Sequence, residues 1–266
     1  MSITFPDIDP VLVQIGPLAI RWYALAYVSG IVLGWWYLIR LNKRPPVILT
    51  QKALDDIMVW ATLGIILGGR LGYVIFYNGS YYLHNPVEIL KVWQGGMSFH
   101  GGLIGLLIAV YLMCRKEKIS FIGTMDMVAC VGPIGLFFGR IANFINGELY
   151  GRVTDVPWGI IFPRGGPLPR HPSQIYEALL EGLTLFLILS LLVWFTRIRH
   201  YKGAIGGVFL IGYALARMTV EQFREPDEQL GFIWGALTMG QLLSFPMLLI
   251  GVGLIIWGWR THRHDA

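Results

Sequence analysis

Residues 128–151 read Val-Ala-Cys-Val-Gly-Pro-Ile-Gly-Leu-Phe-Phe-Gly-Arg-Ile-Ala-Asn-Phe-Ile-Asn-Gly-Glu-Leu-Tyr-Gly. The apolar run from Val128 to Phe138 passes directly into Gly139–Gly151, so Arg140 falls at or just inside a membrane boundary. An arginine costs about 2.5–3.5 kcal/mol at a bilayer centre on insertion scales, and less near an interface. Such a residue is kept where something anionic needs it. Asn143, Asn146 and Glu148 follow, a density of hydrogen-bonding groups that a lipid-facing helix does not carry. The segment reads as the lip of a polar site cut into an apolar protein.

The rest of the chain fits that setting. Of its 266 residues 55% are hydrophobic and 14% charged, and the mean hydropathy is +0.59. Soluble domains carry about 25% charged residues, so this composition describes an integral membrane protein. The 10 Trp and 12 Tyr suit rings that anchor helices at interfaces. A net charge of +5 would suggest nucleic acid in a soluble protein. Here it reads as cytoplasmic loop charge plus a few arginines reserved for a lipid or phosphate, and no nucleic-acid partner is expected. Cys114 and Cys130 sit in apolar runs with no metal-ligand spacing and no disulfide framework. Residues 1–18 hold Asp7 and Asp9 and no basic residue, so the first apolar helix is expected to remain in the mature protein.

About 20 apolar residues span a hydrocarbon core, and seven stretches qualify, near 19–39, 55–77, 96–114, 121–141, 174–196, 203–222 and 235–258. Arg40, Lys43 and Arg44 follow the first, Arg115, Lys116 and Lys118 the third, Arg197, Arg199 and Lys202 the fifth, and Arg260 and Arg263 the seventh. The opposite connections are poorer in Lys and Arg for their length. The positive-inside rule then puts the N-terminus outside and the C-terminus in the cytoplasm. The expected architecture is all-α, about seven transmembrane helices in one domain, 1–266. Its Gly- and Pro-rich fourth connection, 142–173, forms a small periplasmic cap.

With this topology the unusual polar residues fall at one depth. Arg70, Tyr73 and Tyr77, then Arg140 and Asn143, then Tyr213, Arg217 and Glu221 come late in outward-running helices. Arg21 and Tyr23, Ser98 and His100, and His171 to Glu177 come early in inward-running ones. At about 1.5 Å per residue all lie in the outer third of the membrane or at its surface. Arg70, Tyr73 and Tyr77 form one helix stripe, as do Tyr213, Arg217, Glu221 and Arg224.

Structural duties are also open to several of these. Arg217 and Glu221 at i, i+4 can neutralise each other, and a paired arginine keeps donors for a ligand. Arg70 can equally be a packing residue pinned by a carboxylate or by carbonyls. His100 lies in Ser-Phe-His-Gly-Gly, where the glycines permit close approach of a helix or a ligand. Asp126, nearer the cytoplasm, reads as a structural partner, and Gly132–Gly135 as a kink and a close helix contact. Trp35, Trp36, Tyr37, Trp257 and Trp259 read as interface anchors, and Thr261–His264 as a solvated basic tail.

Several arginines on rigid helices suit a phosphate-bearing headgroup, which guanidinium contacts bidentately. A nearby histidine offers a general base near neutral pH. No Ser-His-Asp spacing, zinc motif or nucleotide loop is present. What remains is an enzyme acting on an anionic lipid, or a transporter of an anion. The inner halves of the spans are mostly apolar, which counts against a through-path, and a purely structural membrane partner would not need buried charge.

Gly139-Arg140-x-x-Asn143-Phe144-x-Asn146-Gly147-Glu148-x-x-Gly151 resembles the signature of the bacterial prolipoprotein diacylglyceryl transferases. His100-Gly101-Gly102, His171-Pro172-Ser173-Gln174-x-Tyr176-Glu177 and Arg217-x-x-x-Glu221-x-x-Arg224 are similar to further blocks of that family. The resemblance covers nearly the whole chain in order. It implies a multi-pass transferase of the bacterial inner membrane whose active site lies near the outer leaflet. Its partners would be phosphatidylglycerol, the lipobox cysteine of a prolipoprotein signal peptide and the lipid bilayer. The diacylglyceryl group would move to that cysteine, forming a thioether and releasing glycerol phosphate, as the first step of lipoprotein biosynthesis.

In this chemistry Arg140 and Arg217 would stabilise charge on the departing phosphate, and His100 would help a thiol of ordinary pKa about 8.5 become thiolate. Asn143 and Glu148 would orient the headgroup or loop, with Tyr23, Tyr73 and Tyr213 lining the pocket. Arg70, Gly151 and Glu221 complete the expected substrate-binding set. No metal and no cofactor is expected.

Overall fold

Apolar runs of about 20 residues satisfy their backbone polar groups internally only as helices when lipid surrounds them, and helices dominate the structure. A computed structural model describes residues 3–6, 8–16, 18–225 and 238–265. Helix α1 is Trp22–Asn42 and α2 Gln51–Tyr77, followed by the short α3, Gly79–His84. Then come α4, Phe99–Glu117, and α5, Phe121–Ile145. Helix α6 runs over Ser173–Phe195, α7 over Ala204–Val220 and α8 over Met239–Asp265. Among the described residues α1, α2, α4, α5, α6 and α8 are long and apolar enough to cross a membrane, and α7 is apolar but shorter. This is an all-α membrane protein of about seven spans.

The chain clusters into two compact units, residues 1–38 with 126–266, and residues 39–125. In the second unit α2 packs on α4 through small residues. A Cβ built on Gly64 would stand 2.6 Å from that of Ala109, and one on Gly72 2.8 Å from Gly101 Cα. Between them Gly68 lies against the Gly101 carbonyl and Gly105. In lipid, where burying apolar surface gives no drive for association, such close backbone approach supplies the packing. Thr50 caps α2 by accepting from Ala53 N at 3.1 Å, and Ser98 caps α4 by accepting from Gly101 N at 3.3 Å. The connection between α2 and α4 is wound around Arg70. Its guanidinium donates to the carbonyls of Glu88 at 2.6 Å, Ile89 at 2.9 Å, Gly95 at 2.6 Å and Gly96 at 3.2 Å.

In the first unit α1 meets α5 at glycine. A Cβ on Gly30 would lie 3.3 Å from Gly135 Cα, and one on Gly34 3.5 Å from Val131 Cβ. Helix α6 approaches α5 where Gly182 faces Phe137, and α7 approaches α8 where Gly207 faces Gly251. Asp126 accepts from Gly203 N at 2.6 Å and Gly206 N at 2.7 Å, so the buried carboxylate holds the N-terminus of α7, where the helix dipole favours it. Residues 146–172 form a cap of turns and short bridges. Strand β1 (Ile3–Thr4) adds to it in parallel with β4 (Ile160–Ile161), while β2 (Val11–Ile15) and β3 (Leu18–Arg21) make an antiparallel hairpin before α1. Phe5 and Phe144 pack ring on ring with Phe162 of the cap, which in turn stacks on Tyr150.

Some expected boundaries shift. The first span starts at Trp22 rather than 19, because Leu18–Arg21 pairs as a strand with Val11–Ile15, which takes Arg21 into the hairpin. The fourth helix continues to Ile145, so Asn143 is helical. Tyr37 is an interior residue, not an interface anchor: its hydroxyl lies 2.9 Å from Ser190 Oγ and accepts from Trp194 Nε1 at 2.9 Å. His262, expected in a solvated tail, packs edge-on against Tyr201 at 4.6 Å. Asp7 and the expected first residues of the last span, 235–237, lie outside the described residues.

Candidate functional site

Helix α6 opens in the block His171-Pro172-Ser173-Gln174 and carries Glu177 and Glu181 one turn apart, with Glu181 inside the π-helical turn Ala178–Thr184. Both glutamates have side-chain exposure of 0%. Two such charges on an apolar helix need cations from neighbouring elements, and the neighbours supply arginines. From α5, Arg140 Nε reaches Glu177 Oε2 at 3.0 Å and its Nη2 reaches Glu181 Oε2 at 3.6 Å. From α7, Arg217 Nη1 donates to Glu177 Oε1 at 2.8 Å and lies 3.8 Å from Glu181 Oε1. Its Nη2 pairs with Glu221 Oε1 at 2.5 Å. Arg224 Nη1 completes the set on Glu177 Oε1 at 2.9 Å.

Three guanidiniums thus face three carboxylates, and Glu177 is the hub. The charges are balanced but unevenly exposed. The glutamates are 0–4% exposed, whereas Arg140 is 18% and Arg217 14% exposed. The carboxylates form the back of the cluster and guanidinium edges its accessible face. Such a face can take an anion while the buried charges hold the forks in place.

A second polar group adjoins on the same helix end. Asn143, one turn beyond Arg140, donates to Glu148 Oε1 at 2.9 Å and to the Tyr23 hydroxyl at 3.4 Å. Asn146 adds a contact to Glu148 Oε1 at 3.4 Å. The chain reverses at Gly147, φ +61°, a left-handed conformation in which glycine costs least. The loop is tied to α6: Gln174 Nε2 donates to Glu148 O at 2.6 Å and Ser173 Oγ to Leu149 O at 3.0 Å. Gly151 bridges Arg224 across the cap, and a Cβ there would stand 2.8 Å from the His171 carbonyl oxygen. Arg152 donates to the carbonyls of Arg224 at 2.8 Å and Glu221 at 3.2 Å, fastening the cap to the end of α7.

His171 is half-buried beside Tyr176, whose hydroxyl is 3.1 Å from its Nδ1 and accepts from Trp158 Nε1 at 2.7 Å. Burial pushes the His171 pKa below the usual histidine value, with Asp155 opposing. Among the described residues no group of three or more His, Cys, Asp or Glu side chains could hold a metal ion.

The residue pattern of the whole chain agrees with one family. The family model for prolipoprotein diacylglyceryl transferase matches residues 10–257. The chain belongs to the prolipoprotein diacylglyceryl transferase family. A relative from Paramagnetospirillum magneticum, named phosphatidylglycerol–prolipoprotein diacylglyceryl transferase, is 57% identical over 266 residues, 100% of this chain and 99% of its own. Relatives of the same name from Rhodospirillum rubrum and Azospirillum brasilense are 58% and 55% identical, covering 98% and 96% of this chain and 96% of each of theirs.

In this transferase-family chain the first unit brings Arg140, Arg217 and Glu221 into one ionic network. It also joins Tyr23, Asn143 and Glu148 by hydrogen bonds and puts Gly151 at the cap bridge. Tyr213 is one turn before Arg217, stacked on Phe209 at 6.1 Å. The second unit holds Arg70, pinned by carbonyls, Tyr73, stacked on Tyr77 at 5.4 Å, and His100, exposed in the first turn of α4 with its ring edge-on to Phe99. Sequence reasoning missed Glu181 and the hub role of Glu177. The signal was there: two glutamates at i, i+4 in an otherwise apolar helix with no basic residue of its own.

Proposed function

We propose that this protein transfers the diacylglyceryl group of phosphatidylglycerol to the lipobox cysteine thiol of prolipoproteins. The observation that carries the reading is the convergence of Arg140 and Arg217, from two helices, on the buried Glu177. It leaves guanidinium edges accessible beside the signature loop. A phosphodiester seated on those edges presents its glyceryl carbon to a thiolate. The sulfur–carbon bond forms as the carbon–oxygen bond breaks, and the bonding pair leaves on glycerol phosphate. Charge grows on that phosphate in the transition state, where fixed guanidiniums contribute most.

His100 is assigned the thiol proton, on the family resemblance and on its exposed ring. Asn143 and Glu148 with Tyr23 would order the loop over the headgroup, and Tyr73 and Tyr213 would line the lipid. Arg70 would serve binding by shaping the connection it pins. We place the N-terminus and the 142–173 cap on the periplasmic side and the C-terminus in the cytoplasm, from the Lys and Arg bias of the connections. The cap would be part of a single transferase domain, with the reaction near the outer leaflet.

The test is direct. Purified protein is incubated with phosphatidylglycerol and a lipobox peptide, and the peptide is weighed. A gain of one diacylglyceryl group with matching release of glycerol phosphate supports the reading. Lipid movement across vesicles without a change in peptide mass would replace it with transport.

A further inference from the structure

Four buried acceptor atoms line one stripe of α6. Gln174 Oε1, Glu177 Oε2 and both carboxylate oxygens of Glu181 accept no hydrogen bond among the described residues. The three residues recur at i, i+3 and i+7, on one face. Glu177 Oε2 still has Arg140 Nε at 3.0 Å. Glu181 is different: its nearest cations are 3.6 and 3.8 Å away, beyond hydrogen-bond length. Its side chain is wholly buried, and it sits in a π-helical turn, a local distortion that recurs at functional sites. Among the described residues Glu181 has these two ion-pair contacts but no hydrogen-bond donor, a costly state for a buried carboxylate that a bound donor would relieve.

The donor can be specified by its chemistry. Arg140 and Arg217 are already engaged by Glu177 and Glu221, and with Arg224 they would repel a cationic group placed beside Glu181. A neutral hydroxyl is the donor that fits. We propose that Glu181 is a specificity-determining residue that accepts hydrogen bonds from the free hydroxyls of a polyol headgroup whose phosphate rests on Arg140 and Arg217. The inference rests on the transfer reading above and names what that site reads. Both arginines are partly exposed and touch Glu181, so a headgroup seated on them is one contact away from its oxygens. A site that hydrogen-bonds a substrate hydroxyl rejects the analogue lacking it, because its own polar groups are then left unpaired.

The experiment compares phosphatidylglycerol with phosphatidylpropanol, which keeps the phosphodiester and the three headgroup carbons but has no free hydroxyl. Both are presented in the same mixed micelles with a lipobox peptide. Wild-type protein is expected to favour phosphatidylglycerol in kcat/KM by about tenfold or more. Glu181→Gln should narrow that ratio, and Glu181→Leu should bring it to within about twofold, the loss falling on phosphatidylglycerol alone. Folding is checked by size-exclusion profile, and if Glu181→Leu does not fold, Glu181→Gln decides alone. An unchanged ratio in a folded variant, or an equal loss on both lipids, overturns the assignment. Absence of any transfer from phosphatidylglycerol by wild-type protein defeats the transfer reading itself. Transfer without headgroup discrimination defeats only the role of Glu181.

Discussion

Replacing Glu177 by glutamine removes one charge from the middle of the arginine–glutamate network. Glu177 accepts from Arg217 at 2.8 Å and Arg224 at 2.9 Å, and meets Arg140 Nε at 3.0 Å. A hydrogen bond to a charged group contributes about 1.5–3 kcal/mol, and taking one member from a buried ion pair costs about 3–5 kcal/mol. The amide oxygen of the variant still accepts a hydrogen bond, so the loss should fall near the lower end, about 3 kcal/mol. The cluster would go from three positive and three negative groups to a net +1. Adding Arg224→Gln restores neutrality. The double variant should therefore be more stable than the sum of the single losses allows, by at least about 1 kcal/mol. The assay is unfolding in mixed detergent micelles with added SDS, followed by circular dichroism. A Glu177→Gln protein within about 0.5 kcal/mol of wild type, or losses that simply add, would refute the hub.

Gly68→Val should destabilise the second unit by about 1–3 kcal/mol, because its side chain meets Gly101 and Gly105 backbone. Gly253→Ala, with nothing within 4 Å of the new Cβ, should leave the same unfolding midpoint unchanged or raised. His171, whose pKa burial lowers, should titrate below about 6.5 in a carbon-13 NMR experiment on labelled histidine. The neutral ring is favoured in the folded cap, so its stabilising contribution is complete above the unfolded pKa and is lost as pH falls through the lower folded one. A His171→Gln cap should show a flatter acid profile by hydrogen exchange, and a His171 midpoint at or above the unfolded value would contradict the burial argument. Cys114 and Cys130 are buried free thiols. Their joint replacement by alanine should keep transferase activity, and a folded but inactive variant would show that one of them takes part.

The spans were legible because about 20 consecutive apolar residues have few ways to be satisfied in lipid. Arg140 stood out because an arginine two residues past Phe138, at the end of an apolar run, has no cheap explanation. The pairing of Arg217 with Glu221 was legible from spacing alone, since i, i+4 residues are neighbours on any helix. The partners of Glu181 were not, because they come from α5 and α7, and the i, i+4 glutamates mark a need for cations without saying which helices supply them. The hairpin at Val11–Arg21 escaped for another reason: Leu18–Arg21 is apolar enough to continue the adjacent span, and only pairing with Val11–Ile15 distinguishes it. The small-residue seam of Gly64, Gly68 and Gly72 went unread, because glycines at four-residue spacing name no partner by themselves. Its partner could be found only by setting α2 beside α4. For Arg70 spacing left binding and packing both open, and its four carbonyl contacts lie in a connection that no periodicity describes.

The central claim is that Arg140 and Arg217 stabilise the phosphate as it leaves. Single-turnover release of glycerol phosphate, with phosphatidylglycerol and lipobox peptide both saturating, measures that step most directly. Folded Arg140→Gln and Arg217→Gln proteins should each be slower by about 10²-fold or more, the loss lying in the rate and not in lipid binding alone. A wild-type rate in either variant would contradict the account.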